Sequence, residues 1–256
     1  MKEFKLENDV TLRYHDLPGD EIPIVFVHGL GCASSFDYPQ VVSIGDLTNH
    51  RRILVDLIGS GYSDKPDIFD YSIENHAKCI EQLLKSLKLD KVVIFGHSMG
   101  GAISITLTEI LKDKVICLIL SEANLDSGGG FFSQKIASYS ENDFIGYGYE
   151  DIIQESVANG NTEWAVGLSN SLPIAVYRNA LSLIDGQTPT WREMYYSLNT
   201  DKTFLFGSES LPDPDYEELV RQNIRVDVVE NAGHSMAWEN PEGLAQTIEK
   251  AMKNIK

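Results

Sequence analysis

The sequence has few cysteines and no long apolar run. Its three cysteines, Cys32, Cys79 and Cys117, cannot all pair, and none belongs to a C-x-x-C motif for metal binding or redox chemistry. No apolar segment approaches the roughly 20 residues that span a membrane. The N-terminal segment alternates apolar and charged residues and lacks the apolar core of a signal peptide. We therefore expect a protein of the reducing cytoplasm with neither a membrane span nor a bound metal.

Basic residues are also scarce. Lys and Arg number 21 against 38 Asp and Glu, which gives a net charge of −17 over 256 residues. This charge repels nucleic acid and anionic lipid, and it weakly disfavours polyanionic substrates. An acidic surface also serves solubility alone. We expect a small-molecule substrate, no nucleic-acid partner, and a monomer or homodimer.

Apolar runs of strand length alternate with helical patterns along the chain. Two alternating segments flank Asn8 and Asp9, which predicts an N-terminal hairpin. Continuous apolar runs, typical of strands buried on both faces of a parallel sheet, occupy residues 22–27, 51–57, 91–96, 115–120, 203–207 and 224–230. Helical spacing occupies residues 72–87, 99–112 and 213–222, and a last helix begins at Pro241. The alternation predicts an α/β fold with a three-layer, doubly wound, mostly parallel sheet.

Residues 127–200 interrupt this alternation. They contain helix-like segments over 131–140, 149–160, 164–170 and 173–186, with no strand between them. We call residues 127–200 the helical insertion and predict that it forms a cap, or lid, on a core domain of residues 1–126 and 201–256.

A Gly-x-Ser-x-Gly motif, Gly96 to Gly100, lies directly between a predicted strand and a predicted helix. A turn this sharp strains the serine backbone and leaves no room for side chains two residues to either side. It lifts the Ser98 hydroxyl above the sheet edge, over the positive end of the helix. The context predicts that Ser98 is a nucleophile, whereas the motif alone is weak.

A serine hydroxyl needs a base to remove its proton. Of the six histidines, only His234 follows the carboxyl end of an otherwise unassigned strand, at the edge where open α/β sheets place their sites. We predict that His234 is the base.

Attack on a carbonyl would create an oxyanion that needs two N–H donors. The amide of Met99, directly after the serine, is one candidate. The His28-Gly-Leu-Gly turn supplies the other through the amide of Leu30, and both side chains would then shape the pocket wall. Cys32 lies beside this turn without an adjacent base, so we interpret it as a pocket or core residue.

Four motifs in order resemble the α/β-hydrolase superfamily. They are the HGLG turn, the segment with Asp56, Gly59, Gly61 and Ser63, the sequence GHSMGG, and the late Gly-His before a helix. The resemblance implies an eight-stranded sheet with a lid after the sixth strand, and a structural role for Asp56 in its loop.

The resemblance leaves the acid of the triad open. The usual Asp follows the seventh strand, but Ser210 occupies that position here. Some branches carry a Glu after the sixth strand instead, and Glu122 lies there. We favour Glu122, with Glu209 as the alternative and Asp126 or Asp213 as weaker candidates; no acid at all remains a further alternative.

These features predict a serine hydrolase (carboxylesterase or lactonase) that cleaves an ester or lactone with an apolar part through an acyl-enzyme, without a cofactor. Two alternatives are a hydrolase of the same fold that cleaves a C–C or amide bond, and a low-turnover ligand receptor on the same scaffold. The remaining candidate pocket residues are His28, Cys32, Phe131, Phe132, Tyr139, Trp164, Met236 and Trp238.

Overall fold

The computed structural model describes residues 1–7 and 9–253, and its centre is one eight-stranded sheet. The strands are β1 (Lys2–Lys5), β2 (Thr11–Leu17), β3 (Glu21–Val27), β4 (His50–Asp56), β5 (Val92–His97), β6 (Val115–Ser121), β7 (Asp201–Gly207) and β8 (Arg225–Val229). Their order is β1-β2-β4-β3-β5-β6-β7-β8. The β1–β2 and β2–β4 pairs are antiparallel, and the other described pairs are parallel.

Twelve α-helices are assigned in the described part of the chain. They are α1 (Ser34–Asp37), α2 (Ile73–Ser86), α3 (Met99–Leu111), α4 (Phe131–Ala137), α5 (Glu141–Asp143), α6 (Tyr149–Ala158), α7 (Thr162–Ser169), α8 (Pro173–Asp185), α9 (Trp191–Ser197), α10 (Pro214–Arg221), α11 (Met236–Glu239) and α12 (Pro241–Met252). A π-helical turn, Phe144–Gly148, joins α5 to α6.

Helix starts follow local capping chemistry. The Ser72 hydroxyl accepts a hydrogen bond from the Asn75 amide at the start of α2. Pro241 opens α12, where the missing N–H costs nothing, and the Asn240 side chain caps the same helix.

Both faces of the sheet are covered, which makes three layers. Alternate residues of β3 enter opposite cores: Val25 and Val27 pack on the side of α2 and α3, whereas Ile24 and Phe26 pack on the side of α12. The two-residue period of a strand explains this division. A continuous apolar run is therefore the sequence signature of a strand buried on both faces.

The predicted fold class is confirmed, and the predicted strands agree with the observed ones to within about two residues, the usual spread of such boundaries. The predicted N-terminal hairpin is present as the β1–β2 pair; Asp9 has a positive φ of 63°, and Asn8 lies outside the described residues. Helices α1, α5, α9 and α11 were not predicted; α1, α5 and α11 are too short for a periodic pattern. Among the described residues, no helix is long and apolar enough to cross a membrane.

Candidate active site

Ser98 occupies a strained turn between β5 and α3. Its φ is 52° and its ψ is −121°, a region that non-glycine residues rarely adopt. A Cβ atom on Gly96 would lie 2.3 Å from Ser104 Oγ, and one on Gly100 would lie 2.3 Å from the Val27 carbonyl oxygen. Both glycines are therefore required by close packing around the serine.

Glu122 follows β6 and contacts His234 directly. The two side chains are joined by a hydrogen bond of 2.7 Å between His234 Nδ1 and Glu122 Oε2. The other carboxylate oxygen, Oε1, accepts a hydrogen bond of 2.9 Å from the Gly207 amide at the end of β7. The tip of one strand thus reaches across to a histidine that follows β8.

The environment of Glu122 keeps its carboxyl group ionised. Burial by itself would raise the pKa, because the side chain is only 12% exposed. The hydrogen bond and charge of His234, together with the Gly207 amide and the Ser210 hydroxyl, outweigh burial and lower the pKa of Glu122 to about 2. Ser210, at the usual acid position, therefore lies close enough to stabilise the Glu122 carboxylate.

The other candidate acids have different partners. Asp126 binds Arg192, with 2.6 Å between the guanidinium and the carboxylate. Asp213 caps α10 through the Asp215 amide. The Glu209 amide donates to the Ala232 carbonyl, and among the described residues its carboxylate makes no hydrogen bond to His234. Of these residues, the structure brings only Glu122 to the histidine.

The His28 ring holds the turn from His28 to Cys32 in place from the core side. The Leu57 amide donates to His28 Nε2 at 3.0 Å, so Nδ1 carries the proton and donates to the Gly29 carbonyl at 2.8 Å. Because the peptide group is planar and trans, holding this carbonyl also fixes the direction of the Leu30 N–H. Met99 is the first residue of α3, where the helix supplies no acceptor for its amide.

A cavity of about 470 Å³ opens at Ser98 and His234. Four of the residues that the sequence analysis named as pocket candidates line it: Cys32, Phe131, Phe132 and Trp164. Leu30 and Glu122 also contribute to its wall. The cavity therefore lies between the carboxyl edge of the sheet and the helical insertion.

Four predicted pocket residues do not line this cavity. His28 is fully buried beneath the turn. Tyr139 packs edge-on against Phe144 and Tyr147 within the helical insertion. Met236 and Trp238 face a smaller cavity of about 30 Å³ behind His234. The Met99 side chain is buried in the core, so it does not shape the pocket wall as predicted.

Sequence reasoning missed several residues of the site. The cavity also includes the following residues that were not predicted to line it: His97, Asn124, Asn161, Leu183, Phe204, Phe206, Asp213 and Asp215. Asp213 and Asp215 were interpreted as the start of α10, which they are, and Asp213 also as a weaker candidate for the acid. Their place after β7, beside the Glu122 strand, is the signal that could have identified them.

Two missed residues have unusual titration behaviour. The His97 ring lies 4.6 Å from the His234 ring, centroid to centroid. Burial, reinforced by the charge of His234, lowers the pKa of His97 to about 3, so this ring stays neutral. Asp37 accepts a hydrogen bond from Trp238 Nε1 at 3.0 Å, and burial raises its pKa to about 7. Within residues 1–7 and 9–253, no cluster of three or more His, Cys, Asp or Glu side chains is arranged to hold a metal.

The chain belongs to the alpha/beta hydrolase fold family, whose profile matches residues 22–166, more than half of its length. The chain is 29% identical over 119 residues to a 2-hydroxy-6-oxo-2,4-heptadienoate hydrolase of Pseudomonas putida, covering 46% of this chain and 43% of that protein. It spans about half or less of the length of several curated relatives.

Two solved structures share the fold over nearly the whole chain. An esterase from Exiguobacterium antarcticum has a TM-score of 0.81 at 20% identity, covering 98% of this chain and 99% of the esterase. The N-acyl homoserine lactonase AidH has a TM-score of 0.79 at 17% identity, covering 100% of this chain and 96% of the lactonase. At these identities the likeness shows the fold alone.

Proposed function

We propose that the protein is a serine hydrolase that cleaves a carboxylic ester or lactone through an acyl-enzyme. The observation that carries this proposal is the Glu122–His234 hydrogen bond of 2.7 Å, in a cavity that also contains the strained Ser98. The depressed pKa of Glu122 keeps a negative charge beside Nδ1 of the imidazole. That charge favours the tautomer with Nε2 free to accept the serine proton.

In the proposed reaction, Ser98 attacks the carbonyl carbon while His234 takes the hydroxyl proton. The tetrahedral intermediate places its oxyanion against the amides of Leu30 and Met99. His234 then gives the proton to the leaving alcohol, and water hydrolyses the acyl-enzyme by the same route. Among the described residues no hydrogen bond joins Ser98 to His234; such contacts often tighten only in the Michaelis complex.

The cavity lining favours a neutral substrate with an apolar part. Phe131, Phe132 and Trp164 form an aromatic wall, and Asp213 and Asp215 lie among the other lining residues. None of the described lining residues is Lys or Arg. A substrate carboxylate would meet the like charge of Asp213, because the Asp215 carboxylate is already paired with Arg192 at 2.8 Å. An apolar acyl chain would pack on the aromatic wall. The names of the esterase and lactonase neighbours agree with this substrate class.

We further propose that residues 127–200 act as a cap on a core of residues 1–126 and 201–256. Helices α4 and α7 contribute Phe131, Phe132 and Trp164 to the cavity, so the helical insertion supplies its aromatic wall.

Cleavage of a C–C bond is the second candidate, because the Pseudomonas putida relative is named as the hydrolase of a dienoate. The triad chemistry is compatible with it. The charge of Asp213 in the cavity, unpaired among the described residues, disfavours a carboxylate substrate, so we expect p-nitrophenyl butyrate to be turned over faster than a 2-hydroxy-6-oxo-dienoate. The opposite ratio of kcat/KM would favour C–C hydrolysis.

The test of the hydrolase proposal is covalent labelling with a fluorophosphonate probe, combined with turnover of short p-nitrophenyl esters. We expect one label, at Ser98, and its loss together with ester turnover in Ser98→Ala. Failure to label Ser98 would overturn the hydrolase and leave the receptor alternative.

A further inference from the structure

The indole of Trp164 connects the helical insertion to the turn that carries Leu30. Its Nε1–H donates a hydrogen bond of 2.8 Å to the Leu30 carbonyl. Its ring stacks on Phe132 of α4, with 4.0 Å between centroids and 28° between planes. One side chain therefore contacts both the aromatic wall of the cavity and the backbone of the turn.

Two glycines allow α7 to approach this turn closely. A Cβ atom on Gly167 would lie 2.7 Å from the Gly31 carbonyl oxygen. A Cβ atom on Gly31 would lie 3.0 Å from Leu168 Cδ1 and 3.2 Å from Trp164 Nε1, and its φ of 69° already favours glycine. The Tyr149 hydroxyl holds the end of α7 through the Leu168 carbonyl at 2.6 Å. The indole is thus anchored by packing within the protein itself.

Successive carbonyls of the turn are held from opposite sides. His28 donates to the Gly29 carbonyl from the core, and Trp164 donates to the Leu30 carbonyl from the helical insertion. The first bond fixes the peptide plane that contains the Leu30 N–H, and the second fixes the next plane. Together they restrict both backbone dihedrals of Leu30.

We propose that Trp164 is a positioning residue for the oxyanion donor at Leu30, so that the wall that receives the acyl chain also orients this amide. The inference rests on the proposed function of Leu30. Because the oxyanion forms only in the transition state, loss of the indole donor acts on kcat more than on KM.

The experiment compares Trp164→Phe with the matched variant Phe132→Leu in the full chain, using p-nitrophenyl butyrate. Trp164→Phe retains an aromatic ring but loses the donor, and we expect kcat to fall about tenfold with KM changed less than about twofold. Phe132→Leu retains the donor and loses the stacking partner, so it should change KM more than kcat. Replacement of Trp164 by benzothienylalanine, in which sulfur takes the place of the N–H, removes the donor with almost no change of shape.

The benzothienylalanine variant decides the question if Trp164→Phe does not fold. A rise in KM at unchanged kcat, in either Trp164 variant, would overturn the positioning role and leave the indole as cavity wall. Fluorophosphonate labelling of Ser98 in the unmodified protein separates the two proposals. If Ser98 is not labelled, the hydrolase proposal fails. If Ser98 is labelled but both Trp164 variants, Trp164→Phe and benzothienylalanine, keep the wild-type kcat, only the role of Trp164 is refuted.

Discussion

The carboxyl edge of the sheet and the helical insertion are held in place in different ways. At the sheet edge, backbone hydrogen bonds continue past the ends of the strands: the Ser98 amide donates to Ser121 at 2.9 Å and the Glu122 amide donates to Leu205 at 3.0 Å. Strand register therefore fixes the positions of the proposed nucleophile and acid. Their backbones tolerate positive φ angles, 52° and 39°, because the neighbouring strands determine them.

The helical insertion is attached to the core by apolar packing, since both contribute side chains to one buried cluster, and by separate polar contacts. The Leu172 amide donates to the Gly59 carbonyl at 2.8 Å, His76 Nε2 contacts Asn179 Oδ1 at 2.9 Å, and Arg178 donates to two carbonyls of the loop before α2. Each of these polar contacts involves one or two groups, and within residues 1–7 and 9–253 no β-ladder joins the insertion to the sheet. The positions of the proposed nucleophile and acid thus depend on the sheet, whereas the shape of the cavity depends on side-chain packing.

The largest effect is expected at the sheet edge, from Glu122→Gln. The glutamine amide would face His234 Nδ1 and favour the wrong tautomer, so kcat for a p-nitrophenyl ester should fall about 10⁴-fold, as neutralisation of the acid does in serine proteases. The matched control is Glu209→Gln, which we expect to remain near wild type. A large loss in Glu209→Gln with activity retained in Glu122→Gln would assign the acid to Glu209 instead.

Gly100→Ala, at the sheet edge, should cause a large loss in the free energy of unfolding. The new Cβ would lie 2.3 Å from the Val27 carbonyl oxygen and 2.4 Å from that of His28, and both are backbone atoms of the sheet edge. Neither can move without disturbing β3, so we expect a loss of about 3 kcal/mol or more in the free energy of unfolding. Urea denaturation measures it, and a loss below about 1 kcal/mol would show that this edge adapts.

The junction between the core and the helical insertion should respond to pH through His76. Burial lowers the pKa of His76 from 6.5 to about 4. Between these values the unfolded chain binds a proton that the folded chain does not, so stability is complete above pH 6.5 and declines as pH falls towards 4. The shift corresponds to a contribution on the order of 3 kcal/mol.

His76→Gln keeps a donor for Asn179 but does not titrate. The difference in unfolding free energy between wild type and this variant should therefore change between pH 6.5 and pH 4, in the direction that favours the variant at low pH. His28 and His97 are also buried, but they are present in both proteins and cancel in the difference. Parallel pH profiles would show that His76 does not titrate as a buried neutral group.

Much of the sheet edge could be predicted from sequence, because local patterns determine it. The length of an apolar run sets the end of its strand, and the glycines at 96 and 100 mark the turn at Ser98. The position of Glu122, two residues past an apolar run and on a strand beside that of the serine, made its contact with His234 predictable. The catalytic roles of these residues stay predictions until the variants are measured.

The cavity walls were less predictable, since they depend on tertiary packing. Phe132 and Tyr139 lie seven residues apart in equally aromatic surroundings, yet Phe132 stacks on Trp164 while Tyr139 packs against Phe144. Asp213 has the sequence features of a helix cap and fulfils that role while also lining the cavity. The local sequence does not indicate which surface a helix-cap residue faces.

The smallest expected effect is in the helical insertion, from Gly146→Ala. Gly146 lies in the π-helical turn, exposed to solvent, and a Cβ atom there would meet no atom within 4 Å. Alanine loses less conformational entropy on folding than glycine, so the substitution should stabilise the protein by about 0.5–1 kcal/mol. Urea denaturation should then show Gly146→Ala and Gly100→Ala shifting stability in opposite directions. A destabilising Gly146→Ala would mean that the backbone at this turn is as constrained as that at the sheet edge, which would contradict the distinction between the two regions.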